Sequence, residues 1–160
     1  MDDHLLGYFT AEKNEALLFM AAGVVALLAS AYLFRGNGPF KGMLYPLAAI
    51  ALIQLAVGAS VYFRTDAQVA ALQKQLRESP AAFKEQEATR MHAVVRNFAW
   101  YKALEIALLA AGFLLSYLRR GNQLWYAVGI GLIVQSSLML VLDLFAEHRA
   151  GRYLLFIMGI

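Results

Sequence analysis

Apolar residues run without a charge from Ala16 to Phe34, Gly42 to Phe63, Ile106 to Leu118 and Leu124 to Leu142. An α-helix rises 1.5 Å per residue, so about 20 apolar residues cross a hydrocarbon layer about 30 Å thick. Three of the runs meet that length, and the third meets it only by taking in residues before Ile106. Gly36-Asn37-Gly38-Pro39 separates the first two runs and Arg119-Arg120-Gly121-Asn122 the last two. Both are short and rich in helix breakers, which makes the flanking helices antiparallel neighbours. The pattern predicts an all-α integral membrane four-helix bundle in a single domain, 1–160, made of two transmembrane hairpins with spans at about 15–34, 43–63, 98–118 and 123–145.

The two hairpins echo each other. Glu15 is followed by Ala21-Ala22-Gly23 and Arg35-Gly36-Asn37, and Glu105 by Ala110-Ala111-Gly112 and Arg120-Gly121-Asn122. Gln54 stands within the second run much as Gln135 stands within the fourth. Both hairpins enter from the same side, so a duplication would place a pseudo-two-fold axis along the membrane normal.

Between the hairpins the pattern changes from solid apolar runs to helical periodicity. Asp66 is placed to cap a helix that carries Val69, Leu72 and Leu76 on one face. Ser79-Pro80 then resets the chain, serine suiting an N-cap and proline the first helical position. Phe83, Met91, Val94, Val95 and Phe98 keep helical spacing from there without a breaker as far as Leu118. An amphipathic helical hairpin over 65–97 is therefore expected to project from the membrane. The apolar tail from Tyr153 to Ile160 is too short to span, and is expected at the interface or packed on that hairpin.

Composition agrees. The chain is 61% hydrophobic and 16% charged, against about a quarter charged in soluble domains, so lipid is the natural solvent and a multi-pass place in a bacterial-type inner membrane the expected location. The net charge of +3 is scattered between apolar runs and forms no stripe, which argues against nucleic acid as a partner. With no cysteine there is no disulfide framework, thiolate metal site or thiol nucleophile. Asp2, Asp3, Glu12 and Glu15 ahead of the first run give it the wrong flank for a signal peptide, so it is expected to stay in the mature protein. The short turns carry Arg35, Lys41, Arg119 and Arg120 with no acid, which favours both termini outside, whereas the count of basic residues at the other end favours the reverse.

Candidate chemistry lies in the polar positions inside the apolar runs. In lipid, small and polar residues mark the faces that touch other helices. Four stripes fit: Glu15, Ala22, Ala26 and Ser30; Gln54, Gly58 and Tyr62; Asn97, Tyr101, Glu105, Gly112 and Ser116; Gly131, Gln135 and Asp143. Glu105 stands out by depth. The 13 residues from Ile106 to Leu118 cover only about 20 Å, which leaves its carboxylate on the order of 10 Å inside the opposite boundary, where a bare charge costs about 3 kcal/mol or more. It needs a cation, with Lys102, Arg64 and Arg96 in reach by spacing, or it serves as a ligand-facing or proton-carrying acid. Glu15, Asp143, Tyr62, Arg64 and Tyr101 open toward the same membrane face, a polar vestibule floored by Gln54 and Gln135.

His4, His92 and His148 match no zinc or haem spacing, and no nucleophile motif or phosphate loop is present, so no metal, cofactor or catalytic set is expected. The resulting expectation is a membrane-lipid-embedded binding or interaction protein, an accessory subunit or immunity-type factor, working through its extramembrane hairpin and a polar pocket near Glu105. Its partner would be another protein or a further copy of the chain. Two other readings stand beside it: a small transporter or ligand-binding bundle using Glu105, and a lipid-active enzyme with Glu105 or Asp143 as general base.

Overall fold

A computed structural model describes residues 1–159. Four long helices fill it: α1, Asp2–Arg35; α2, Leu44–Glu78, entered through a 3₁₀ turn at Lys41–Met43; α3, Pro80–Leu118; and α4, Gln123–Met158. All four are long and apolar enough to cross a membrane. The α1·α2 and α3·α4 hairpins form the largest interfaces, and α4 closes the bundle by also meeting α1 and α2.

Each helix runs on well past its apolar segment, and local chemistry shows why. Arg64-Thr65-Asp66 does not start a new helix: α2 runs on through it, with the Thr65 hydroxyl donating back to the Val61 carbonyl at 2.6 Å. Asp66, freed from capping, accepts from Lys13 of α1 at 2.7 Å. The break comes at Ser79, the single residue between α2 and α3. There the Ser79 hydroxyl makes no capping bond. The Ser79 N–H donates to the Gln75 carbonyl and the Phe83 N–H to the Ser79 carbonyl, both at 2.9 Å, with Pro80 in the first turn. At the other end the Asn122 side chain caps α4, accepting from the N–H groups of Leu124 and Trp125. From Tyr153 the C-terminal tail continues α4 to Met158 and stops at Gly159 with φ 79°, a left-handed conformation suited to glycine, while Ile160 lies outside the described residues.

The core is divided along the bundle. At the end that holds the termini and Ser79, here called the head, Leu5, Phe9, Phe83, Met91, Tyr153 and Ile157 are buried together, with Val69, Leu72 and Leu76 of α2 against them. The tail thus packs on the 65–97 segment, as one of its two expected placements has it, and α1 joins them from its first turns. Toward the short turns the buried set is smaller, with Leu47 and Ile50 beside small side chains such as Ala26 and Ala51. Backbones touch there: a Cβ on Gly112 would lie 2.9 Å from the Gly129 carbonyl oxygen, and one on Gly23 3.1 Å from that of Ala51. Large apolar side chains in this half, Val25, Leu28, Phe113 and Leu114 among them, point outward.

Candidate functional site: a line of polar groups through the bundle

The line begins where the bundle is most apolar. Gln54 of α2 and Gln135 of α4 are buried against each other, the Gln135 amide donating to the Gln54 carbonyl oxygen at 2.6 Å. Gln54 Nε2 and the hydroxyl of Ser136, both fully buried, have no partner among the described residues. Exposed aromatics locate this level. Tyr45 and Phe63 on α2, Trp100 and Tyr117 on α3, and Trp125 and Phe145 on α4 are all exposed. Their spacings of 18, 17 and 20 residues put the two aromatic bands about 26–30 Å apart. Gln54 and Gln135 each fall at the midpoint of their own interval.

Glu105 comes next, five residues below Trp100 on α3 and about 7 Å inside that band. It is 2% exposed, and neither carboxyl oxygen has a donor among the described residues. The group set against it is the carboxyl of Asp143 from α4. None of the cations in reach by spacing pairs with it. Lys102, one turn earlier, crosses instead to Glu147 at 2.5 Å; Arg64 faces Glu12 at 3.9 Å; Arg96 is exposed.

Past Asp143 the seams are closed by charge pairs. Arg149 of α4 meets Glu15 of α1 at 2.5 Å, Lys13 meets Asp66 across α1 and α2, and Lys102 meets Glu147 across α3 and α4. Lys13 also lies over the Tyr62 ring, 4.6 Å from its centroid. In the head, Arg90 closes on the buried Glu87 through two bonds of 2.7 Å. Tyr8 and Tyr153 stack at 4.3 Å between centroids, with Arg149 over Tyr8. Burial raises the Tyr153 phenol well above its ordinary range, with the Glu87 charge adding to the effect, and burial with Glu12 does the same for Tyr8. Burial likewise raises the Glu12 carboxyl, against the opposing pull of Arg64, Arg90 and Arg149.

The expected site residues therefore separate. Glu105, Asp143, Gln54 and Gln135 face the interior, and Glu15 and Lys102 join it through their pairs across helices. Tyr62 is half-buried, while Arg64 and Tyr101 lie at the surface, and Asn97 with them. Sequence reasoning missed Glu87, Arg90, Glu147, Arg149, Tyr8 and Tyr153. The (i, i+3) spacing of Glu87 and Arg90 was the one available signal, and it is also what an ordinary solvated helix face shows. No group of three or more metal-ligating side chains is placed to hold a metal ion among the described residues. Against known family models, curated proteins and solved structures, the chain shows no match.

Proposed function

We propose that the chain is a multi-pass inner-membrane protein that acts as a binding protein. The part between the two aromatic bands is embedded, and the head is presented to a partner at the membrane surface. Exposed tryptophan, tyrosine and phenylalanine in two bands about 26–30 Å apart suit the two lipid–water boundaries, and the outward Val, Leu and Phe side chains between them suit acyl chains. The repeat of Ala-Ala-Gly in both hairpins gains support from packing, since Gly23 and Gly112 each rest on a carbonyl of the facing helix. The observation that carries the binding reading is the shared core of the head. Residues 65–97 are not a loose arm: Phe83 and Met91 are fully buried against α1 and α4, which leaves Glu85, Thr89, His92 and Arg96 exposed along the outer side of α3. A rigid, charged helix face at the membrane surface suits an accessory subunit or an immunity-type factor.

Reversing that face by Glu85→Lys with Arg96→Glu, in a strain lacking its own copy of the gene, tests the reading. Loss of complementation with expression and thermal stability unchanged is the expected result, and full complementation overturns it. Deleting 67–95 is no substitute, because it removes Phe83 and Met91 from the core.

One observation favours a second reading, a proton- or ligand-handling bundle: the donorless Glu105 beside Asp143. An ionisable residue kept in this position is a functional candidate by default. Glu105→Gln that folds normally and fails to complement supports it, and a silent Glu105→Gln removes it.

A further inference from the structure

Two carboxyl groups meet across the α3·α4 seam at Glu105 and Asp143, and the groups around them are accounted for. On α3, Lys102 is bound to Glu147. On α4, Glu147 holds Lys102 and Arg149 holds Glu15. On α1, Glu15 is the acid whose charge bears on Asp143. From α2, Arg64 faces Glu12 and Tyr62 lies under Lys13. Among the described residues no cation pairs with Glu105, and both of its oxygens are buried without a donor.

An ionised carboxylate only accepts hydrogen bonds, whereas a protonated one also donates. Two ionised carboxylates held together away from water repel each other and have nothing to accept from. One proton between them removes the repulsion and supplies the missing donor at a single stroke. A metal ion is the other way to join two carboxylates, but it needs further ligands, and no third metal-ligating side chain is placed to help among the described residues.

Resting on the second reading above, we propose that Glu105 and Asp143 hold one exchangeable proton between them, and that it exchanges with the head end on the Asp143 side. In the loaded form one carboxyl O–H donates to the other carboxylate. On release that O–H bond breaks and the proton moves to water at the head, leaving both carboxylates ionised; no electron changes hands. The direction is set by structure: Asp143 is only half-buried, while on the other side of Glu105 the Gln54–Gln135 bond fills the centre of the bundle.

Infrared difference spectroscopy on the full chain in phosphatidylcholine vesicles tests this. At near-neutral pH the wild type is expected to show a protonated-carboxyl band that shifts in heavy water and disappears as pH is raised. The same band should fall to background in Glu105→Gln and in Asp143→Asn, because the new amide supplies the donor and lets the remaining carboxyl ionise. Glu12→Gln, in the head, should keep it. Should one variant fail to fold, the other is read with the wild-type titration. No such band in the wild type, or a band unchanged in the folded variants, overturns the proposal. So does thermal stabilisation by sodium over choline that Glu105→Gln abolishes, which would make the occupant a metal cation. The band reports the proton and complementation reports its use, so a silent Glu105→Gln phenotype with the band present defeats the functional reading alone.

Discussion

Glu87 and Glu105 lie on the same helix, 18 residues apart, and both are almost fully buried. Arg90, one turn on, closes on Glu87 through two bonds, while neither carboxyl oxygen of Glu105 has a donor among the described residues. The surroundings differ in the same way. The head packs aromatic and long aliphatic side chains around its charge pair, as a protein in water must to remove apolar surface from solvent. The half below the Trp100 band turns its large side chains outward and brings backbones together over glycine and alanine, as suits lipid, where burying leucine gains nothing. One continuous helix thus carries two packing patterns, with the paired acid in the first and the acid without a donor in the second.

The comparison makes graded predictions for unfolding in detergent or vesicles. Phe83→Ala should be the most damaging, destabilising the head by about 4 kcal/mol, whereas Leu28→Ala on the outward face of α1 should change stability by less than about 0.5 kcal/mol. Equal losses at the two positions would show that one solvent governs both ends. Arg90→Ala, which leaves Glu87 buried and unpaired, should cost about 3 kcal/mol. Glu105→Gln, whose amide supplies the Asp143 carboxylate with a donor, should leave the denaturation midpoint unchanged or raised. Gln135→Leu, which removes the single bond to Gln54 in the middle of the apolar half, should cost about 1 kcal/mol.

The smallest effect near neutral pH belongs to the stacked tyrosines. Their phenols are raised in the folded head, so the unfolded chain loses these protons first as pH climbs. Their contribution is therefore complete below the ordinary tyrosine value of about 10 and declines as pH rises beyond it. Tyrosinate absorbance should appear together with loss of helical signal, and Tyr153→Phe should reduce that alkaline loss.

Much of this was legible in the residues. Unbroken apolar runs and the turns at Gly36-Asn37-Gly38-Pro39 and Arg119-Arg120-Gly121-Asn122 locate the hairpins, and Ser79-Pro80 marks the third boundary, because breakers and run length act locally. The continuity of α2 through Asp66 was not legible. There Asp66 pairs with Lys13, 53 positions away, instead of capping, a contact that local pattern does not show. The burial of Glu105 follows from counting rise against thickness. Its lack of a cation does not, because that turns on Glu147 of another helix taking Lys102. Spacing identifies which side chains are able to meet, and competition among distant partners decides which do.

Because α2, α3 and α4 run unbroken past the aromatic band nearest the head, each is a stiff rod rather than a tether. The tip at Ser79 is a single residue wide, and from it α3 runs 39 residues, about 58 Å, without a hinge. The exposed tip and the stretch that holds Glu105 are therefore parts of one rigid element, and the angle at which α3 stands positions both.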